Sequence, residues 1–346
     1  MTTSPSRSDV RAAGEVCDVH AHYLPRTALE QMTTGRAVVR LDTVCGVPDN
    51  ITLNGMAVGS TVEQLSSVTS MLAAMDATGV GVRVISPPPF TYRYWSNAGA
   101  ALDLCRLLND ATARVVREHP DRFLGLATVP LQDPSAAIIE LERATGDLGL
   151  TGVTLGTNVA GRNLSDPDLR GFLAAVADRG APVLVHPDFV PSDRLAEYYL
   201  VNLVGMPTET ATTVANLILS GALAELPDLR VCFVHGGGSS PYLLGRLTKG
   251  WNVRPETRER TPEPPDRYLA NVYFDTLTHS PAALRYLIDL VGPDHVVIGT
   301  DSPFDVEDPD PLGHLERCAR LTEEERTSIL YVTADRWLHG PSAVTS

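Results

Sequence analysis

The sequence predicts an α/β fold, a closed (β/α)8 barrel of the triosephosphate isomerase (TIM) type, for three reasons. Eight short apolar runs rich in β-branched residues recur along the 346 residues, and segments of helical periodicity separate several of them. Each run is almost continuously apolar, which is typical of parallel strands covered by helices on one side and packed core on the other. An open doubly wound sheet is the alternative, but it usually has fewer strands and a glycine-rich turn after the first. Here the first run leads into His20-Ala21-His22, which favours the barrel.

The predicted strands and helices alternate along the chain. The predicted strands are Val16–Val19, Val82–Ser86, Phe123–Val129, Gly152–Gly156, Pro182–His186, Val231–His235, Val272–Leu277 and Val296–Asp301. The clearest predicted helices are Ala100–Glu118, Ser135–Leu148, Asp168–Arg179 and Pro281–Leu290.

One stretch departs from this alternation. From about Thr27 to Ser60 the chain is rich in Gly, Thr and Val, which predicts two or three short strands inserted after the first barrel strand. No internal repeat or low-complexity linker divides the rest. We therefore predict one domain over residues 1–346, with a small β-rich insertion at about residues 27–60.

Composition limits the partners and the compartment. The net charge is -14 and there is no run of Lys or Arg, so nucleic acid and anionic membrane surfaces are excluded as expected partners. The same charge disfavours anionic substrates at long range, so an acid bound here needs local cations. The five cysteines are scattered and form no C-x-x-C pair, which is typical of reduced thiols. The polar start lacks the apolar stretch of a signal peptide, and no apolar run is long enough to span a bilayer, so we expect a soluble, cytoplasmic protein.

Polar residues stand where four of the predicted strands end. In such a barrel the chemistry lies at the carboxyl ends of the strands. Strand one ends in His20 and His22, strand five in His186, strand six in His235 and strand eight in Asp301. Residues two apart on an extended segment point to the same face, so both rings of the first pair are expected to face the barrel mouth.

This set of residues predicts a metal site. A single His-x-His pair is a weak signal, because nine histidines can produce one by chance. Candidate ligands at four strand ends, with a carboxylate on the last strand, are much harder to attribute to accident. Neutral imidazole nitrogens suit zinc and other borderline divalent ions. His279 lies close enough to the mouth to be ambiguous, and Asp275 is expected to orient a ligand rather than to be one.

Five segments carry a resemblance to a known family. They are DVHAHYLP at Asp18–Pro25, LVGMPTET at Leu203–Thr210, VCFVHGGGSSPYLLGRL at Val231–Leu247, GWNVRPE at Gly250–Glu256 and VIGTDSPF at Val297–Phe304. With them the chain resembles the aminocarboxymuconate-semialdehyde decarboxylase branch of the amidohydrolase superfamily. The match runs from Asp18 to about Phe304 without large gaps.

The resemblance implies roles for matching residues. It implies that His20, His22, His186 and Asp301 bind zinc. It also implies that His235 is the catalytic histidine beside the metal-bound water, with Asp301 as a possible proton relay. The arginine that matches Arg254 reaches a substrate carboxylate in the neighbouring subunit's site, which implies a homodimer. Phe304, in the last segment, is taken as a substrate-binding residue.

The chain departs from the family pattern where the substrate is bound. The family decarboxylases carry a Phe-Arg pair in the insertion whose Arg binds a substrate carboxylate, and alignment back from Met75-Asp76 places Val58-Gly59 there. A pocket Trp of the family corresponds to Leu203. We therefore expect the chemistry to carry over better than the substrate. Aminocarboxymuconate semialdehyde itself is expected to be a poor substrate unless another cation, such as Arg93, replaces the missing Arg.

The leading functional hypothesis is a metal-dependent, non-oxidative decarboxylase of a small unsaturated or aromatic carboxylate. His235 would act as general base or as carrier of the proton to the carbon that loses CO₂. The alternative is hydrolysis or hydration of an amide, lactone or activated alkene by water on the same ion. A catalytically idle metal-binding or partner-binding barrel is the third possibility, but it would require the loss of His235 or of the open coordination position, and the sequence keeps His235.

Overall fold

The computed structural model describes residues 14–32, 39–44, 47–53, 55–188, 192–269 and 272–340. The strands, in chain order, are Cys17–His22 (β1), Val39–Val44 (β2), Val47–Leu53 (β3), Met56–Thr61 (β4), Val82–Ser86 (β5), Phe123–Ala127 (β6), Gly152–Leu155 (β7), Asn158–Val159 (β8), Arg162–Asn163 (β9), Val183–Val185 (β10), Val231–Phe233 (β11), Val272–Asp275 (β12) and Val296–Val297 (β13). Eight of them, β1, β5, β6, β7, β10, β11, β12 and β13, form one parallel sheet in that order.

Helices follow most of these strands and cover the sheet. In chain order they are Arg26–Gln31 (α1), Val62–Ser66 (α2), Val68–Thr78 (α3), Ala98–Glu118 (α4), Pro134–Glu142 (α5), Pro167–Asp178 (α6), Met206–Leu219 (α7), Ala222–Glu225 (α8), Ser240–Val253 (α9), Pro281–Val291 (α10), Pro311–Glu316 (α11), Glu323–Thr327 (α12) and Thr333–His339 (α13). No helix in these described ranges is both long and apolar enough to cross a membrane.

The sheet closes between its first and last strands. The backbone N–H of Val19 donates to the carbonyl of Ile298 at 2.9 Å, and the N–H of Asp301 donates to the carbonyl of His20 at 2.8 Å. These bonds continue the ladder from β13 back to β1, so the predicted barrel is confirmed. The assignment of the whole chain to one domain stays a prediction.

The predicted strand Val82–Ser86 has the observed bounds, and the other seven predicted strands differ from the structure at one end or both, by one to four residues. Strand β1 continues to His22, so both histidines of the pair lie on the strand itself. The strands predicted to end at His235 and Asp301 end earlier, at Phe233 and Val297. His235 and Asp301 both have left-handed backbones, with φ of 57° and 60° respectively. A strand needs negative φ, so neither residue can continue it.

Alternate strand residues contribute to two separate cores. One core joins strand residues such as Val183 and Phe233 to Phe172 and Leu217 of the surrounding helices. The other core joins the intervening residues, including Leu184 and Cys232, to the buried Trp337 of α13. The second core therefore lies on the inner face of the sheet.

The predicted insertion contains an antiparallel three-stranded sheet, in the order β2-β3-β4. Its first residues form helix α1 rather than a strand. Ile51 and Leu53 of this sheet share a hydrophobic cluster with Phe90 and Phe304, which anchors the insertion beside the barrel mouth. Residues 33–38, 45, 46 and 54 of the predicted insertion, and residues 1–13 of the polar start, lie outside the described residues.

A buried ion pair fixes the seam on which the barrel closes. Nε of Arg83 on β5 donates to Oδ2 of Asp18 on β1 at 3.0 Å, and both side chains are almost fully buried. Asp18 also accepts from the backbone N–H of Thr300 at 3.1 Å and from its hydroxyl at 2.7 Å. Arg83 donates further to Oγ of Ser302 at 3.3 Å. One pair thus joins β1, β5 and the segment that follows β13.

We expect Arg83→Met to lower the free energy of unfolding by about 3–5 kcal/mol, because it leaves a buried Asp18 charge without its partner. The measurement is urea denaturation followed by circular dichroism. The control is Arg26→Met, which breaks an ion pair with Glu63 whose side chains are 65% and 63% exposed. That variant is expected to lose less than about 1 kcal/mol. Similar losses in the two variants would contradict the role of the buried pair.

Candidate metal centre

Four imidazole rings converge on the carboxylate of Asp301. Its Oδ1 lies 2.9 Å from Nε2 of His22, 3.2 Å from Nε2 of His20 and 3.7 Å from Nε2 of His186. Its Oδ2 lies 3.4 Å from Nε2 of His235. The structure therefore brings together all five residues that the sequence analysis placed at the strand ends.

Backbone conformation helps to bring these side chains together. His235 and Asp301 both follow short strands and both adopt the left-handed region. A positive φ is uncommon for residues other than glycine and costs on the order of 1–3 kcal/mol. Such strain persists where the surrounding structure enforces it, and here the Asp301 N–H is bonded to the carbonyl of His20. The conformation is characteristic of functional sites.

Two of the histidines are oriented by hydrogen bonds at the nitrogen that faces away from Asp301. Nδ1 of His20 lies 2.7 Å from Oδ2 of Asp275, and Nδ1 of His186 lies 2.7 Å from the carbonyl of Pro187. A proton on each Nδ1 satisfies these acceptors, so Nε2 is the nitrogen of each ring that could bind an ion at the centre. Asp275 is itself held by the backbone N–H of Gly236, which donates to Oδ1 at 2.7 Å. The structure thus gives Asp275 the orienting position that the sequence suggested.

Gly299 permits the close approach of His20 and Asp275. A Cβ atom at position 299 would lie 2.7 Å from Cβ of Asp275 and 2.9 Å from Cβ of His20. Real Cβ atoms are essentially never so close to other atoms, so only glycine fits between these two side chains. Gly299, two residues before Asp301, is therefore part of the packing of the site.

The pKa values of the buried carboxyls and imidazoles at the candidate metal centre depend on one another. Burial opposes ionisation of Asp301, but the charge of His20 and the neighbouring His186 and His22 hold the pKa of its carboxyl well below the usual range. Burial also opposes ionisation of Asp275, yet its contact with His20 lowers that carboxyl's pKa. Burial lowers the pKa of His186 to about 3, whereas on His20 the Asp301 and Asp275 charges outweigh burial and raise the pKa to about 10. Two buried carboxylates thus require compensating positive charge.

The donor atoms fit a metal ion. His20, His186, His235 and Asp301 each offer one ligand atom, and these atoms lie within 4.8 Å of one another. Nε2 of His20 and of His186 is buried and makes no hydrogen bond within the described residues. Imidazole nitrogens with a carboxylate oxygen are the ligands of zinc and related divalent ions. A divalent cation would also balance the two carboxylates.

This group of four possible ligands differs in one member from the ligand set predicted from the sequence. It contains His235, which the sequence analysis placed beside the ion, and it omits His22, which the sequence analysis placed on it. His22 is nevertheless fully buried and in contact with Asp301. His235 is 16% exposed at its side chain, which makes it the more accessible of the two.

A two-armed cavity opens from Asp301. The outer arm has a volume of about 670 Å³, and the inner arm has about 60 Å³. Residues that line the outer arm include His235, Tyr242, Thr278, His279, Asp305 and Glu307. Residues that line the inner arm include Val58, Phe90, His186, Asp188, Tyr199 and Phe304. Asp301 and Asn202 line both arms, so the two meet at the candidate metal centre.

Two of the four predicted substrate-binding residues line this cavity. Phe304 lines the inner arm, and its ring lies 5.1 Å from the ring of His22. Leu203 lines the outer arm and is 55% exposed, so it lies at the mouth. The residue beside it, Asn202, lines both arms. Sequence reasoning missed Asn202 because its neighbour was matched to the aromatic pocket residue.

The other two predicted substrate-binding residues do not line either arm. Gly59 abuts the carboxylate of Asp305, a cavity residue that the sequence analysis did not single out. Asp305 directly follows the VIGTDSPF segment, in a loop whose packing the sequence does not reveal. The Arg254 side chain is 66% exposed and its Nε donates to Oε1 of Glu256 at 2.7 Å. Arg93, the suggested replacement cation, is 8% exposed and stacks on the ring of Trp95.

Comparisons with known proteins agree with the barrel fold. A sequence model of the amidohydrolase family matches residues 17–340. The chain is 35% identical over 317 residues to a 2-amino-3-carboxymuconate-6-semialdehyde decarboxylase of Dictyostelium discoideum, covering 90% of this chain and 88% of that protein. Its structure is similar to that of 5-carboxyvanillate decarboxylase from Sphingomonas paucimobilis, with a TM-score of 0.81 and 25% identity over 94% of this chain and 98% of that chain. A dihydroxybenzoic acid decarboxylase from Polaromonas sp. JS666, with bound manganese and 2-nitroresorcinol, shares the fold with a TM-score of 0.76, 21% identity and coverage of 94% and 96%.

We expect Asp275→Asn to weaken binding of a divalent ion by about 10–100-fold, because it removes the charged acceptor that orients His20. The measurement is competition of the metal-loaded protein with a chelator of known affinity. The control is Asp294→Asn, a carboxylate outside the site that accepts from Oγ of Ser328. Unchanged metal affinity in Asp275→Asn would show that His20 does not need this partner.

Proposed function

The chain belongs to the amidohydrolase family, and from this we propose that it is a metal-dependent decarboxylase that removes CO₂, without oxidation, from a small unsaturated or aromatic carboxylate. The observation that carries the proposal is the convergence of four imidazoles on the Asp301 carboxylate at the junction of a two-armed cavity. Relatives and structural neighbours named as decarboxylases support the same reaction type.

We assign the metal to His20, His22, His186 and Asp301. When bound there, a divalent ion supplies a Lewis acid that polarises an oxygen of the substrate. Zinc is the ion we propose, because three neutral imidazoles and one carboxylate suit it. The manganese in the Polaromonas enzyme makes that ion the alternative, and elemental analysis of the purified protein distinguishes the two.

We assign proton transfer to His235. Loss of CO₂ breaks a carbon–carbon bond and leaves the electron pair on the substrate carbon, which must then accept a proton. His235 lines the outer arm, whereas the fully buried His22 is not among the residues that line either arm. Nε2 of His235 lies 3.4 Å from Oδ2 of Asp301, so the two residues stand side by side at the cavity. An imidazole can both accept and donate a proton, which suits both halves of this transfer.

For the substrate we propose a monocarboxylate that is not aminocarboxymuconate semialdehyde. Val58 and Gly59 offer no cation, and among the described residues that line either arm none is Lys or Arg. We propose that the enzyme is a homodimer in which Arg254 of one subunit reaches the substrate of the other. The exposure of Arg254 outside its own cavity supports this arrangement. We also propose a cytoplasmic location, which the buried free thiols of Cys17, Cys105, Cys232 and Cys318 support.

The proposed activity can be tested by measuring CO₂ release. Zinc- and manganese-loaded protein would be incubated with hydroxybenzoates, carboxylated catechols, aminocarboxymuconate semialdehyde and amide or lactone analogues. Release of CO₂ from an aromatic or unsaturated monocarboxylate is the expected result. Hydrolysis of an amide or lactone without any CO₂ release would replace decarboxylation by hydrolysis. A kcat/KM of ~10⁴ M⁻¹s⁻¹ or more for the muconate semialdehyde would contradict the substrate assignment.

Replacement of His186 and His235 by Ala should separate metal binding from proton transfer. His186→Ala is expected to lose most of the bound metal and all activity, because it removes a buried ligand. His235→Ala is expected to keep the metal and lose ~10²–10⁴-fold in turnover, as on removal of a general acid or base. Metal content is measured by elemental analysis and turnover by CO₂ release. If His235→Ala loses as much metal as His186→Ala, His235 is a ligand.

Sharing of Arg254 between subunits can be tested with mixed dimers. Arg254→Ala and His235→Ala proteins are each expected to be nearly inactive, because one lacks the substrate cation and the other the proton carrier. In a mixed dimer one site receives an intact Arg254 together with an intact His235, so activity should partly return. The control is each variant mixed with itself under the same exchange conditions. Mixed dimers that form and stay inactive would count against sharing.

A further inference from the structure

The cavity wall is negatively charged beyond the metal centre. Asp305 and Glu307 line the outer arm and Asp188 lines the inner arm, while no described lining residue of either arm is Lys or Arg. The group of a bound substrate that points away from the metal therefore meets carboxylates. This feature constrains what that group can be.

Asp305 is the carboxylate that the surrounding structure leaves for a ligand. Burial raises the pKa of the Glu307 carboxyl, and Ser302 and Arg83 of the barrel seam oppose that rise, so this carboxyl is associated with the seam. Asp305 is solvent-exposed and lines the outer arm. Within the described part of the chain it has one weak polar contact, the hydroxyl of Tyr199, which donates to its Oδ1 at 3.5 Å. An oxygen that accepts only one long hydrogen bond retains capacity for a stronger donor.

Gly59 makes room for this carboxylate. A Cβ atom at position 59 would collide with the carboxylate of Asp305, and Gly59 also has a φ of 80° that other residues rarely adopt. The insertion strand β4 therefore approaches Asp305 as bare backbone. At this position the insertion offers no side chain to the substrate. The group present there is the carboxylate of Asp305, from the loop that follows β13.

The pair formed by Asp305 and Tyr199 joins the two arms near the metal centre. Tyr199 lines the inner arm and Asp305 the outer arm, and Asp301 lines both. Burial, followed by the charges of Asp305 and Asp301, raises the pKa of Tyr199, so its phenol stays protonated and can act as a donor. Each arm that meets at Asp301 thus has one member of this pair in its wall.

We propose that Asp305 makes the site selective for carboxylates whose far end carries a hydrogen-bond donor, most favourably an ammonium group, and that it disfavours a second carboxylate there. The inference rests on the proposed function, because it assumes that the reacting carboxylate lies at the metal centre. A donor at the far end forms a charge-assisted hydrogen bond with Asp305. A second carboxylate placed there meets a like charge with no described cation to offset it.

Binding of three probes to the metal-loaded protein tests this proposal. The probes are benzoate, 3-(aminomethyl)benzoate and isophthalate, which share the benzoate core and carry hydrogen, a cationic aminomethyl group or a second carboxylate at the meta position. Because Asp305 is exposed and solvent screens its charge, we expect a moderate effect, about fivefold tighter binding of the aminomethyl compound than of benzoate. Isophthalate should bind more weakly than benzoate. Affinities are measured by isothermal titration calorimetry.

The variant Asp305→Asn keeps the shape and the contact with Tyr199 but removes the charge, so the three affinities should come within about twofold of one another. Glu316→Gln is the matched control, because it makes the same change in net charge on helix α11, away from the residues that line the two arms. It should keep the wild-type order. Gly59→Ala should displace the Asp305 carboxylate and resemble Asp305→Asn.

Three results would overturn the proposal. They are equal binding of the three probes to the wild type, an unchanged preference in Asp305→Asn, and an equal loss of preference in Glu316→Gln. Failure to detect binding of any probe would also count against it. Since binding needs no turnover, a charge preference without CO₂ release would contradict only the proposed reaction. CO₂ release without a charge preference would contradict only the role of Asp305.

Discussion

The contact between the Asp301 carboxylate and the histidine rings depends on how the barrel closes. Asp301 reaches the centre because its backbone N–H is bonded to the carbonyl of His20, across the seam between the last strand and the first. The Arg83–Asp18 pair stabilises the same seam through hydrogen bonds to Thr300 and Ser302. Closure of the sheet and assembly of the site are therefore the same structural event. A barrel that failed to close would leave His20 and His22 without the carboxylate.

Sequence patterns predicted the strands and the site residues because both follow simple rules. Continuous apolar runs mark buried parallel strands, and the carboxyl ends of such strands meet at one mouth. The exact ends of the strands could not be predicted, because the left-handed conformations of His235 and Asp301 are imposed by tertiary contacts and not by local propensity. The roles of Asn202 and Asp305 were not predicted for a related reason. A cavity wall depends on which loops pack beside one another, and the approach of Gly59 to Asp305 joins segments almost 250 residues apart.

The charge of the chain is distributed in a way that bears on substrate binding. An acidic protein that acts on acids must supply positive charge where the substrate carboxylate lies. The buried carboxylates Asp275 and Asp301 make that need greater, since a divalent ion must first balance them before it can attract another anion. Arg254, exposed on the end of helix α9, is a cation that lies outside the cavity of its own subunit. Metal loading and subunit contact are thus two separate ways in which the proposed site could gain affinity for its substrate.

The antiparallel sheet of the insertion shares its hydrophobic cluster with Phe304, three residues beyond Asp301, and with Leu104 and Leu108 of helix α4. Part of the wall of the inner arm, including Leu53 and Val58, therefore comes from a segment that contributes none of the groups around Asp301. Mutations in strand β4 can reshape that wall while the histidines and the carboxylate stay in place. During evolution, a lineage carrying this architecture could exchange one substrate for another through small changes in the insertion, with the metal-dependent chemistry inherited intact.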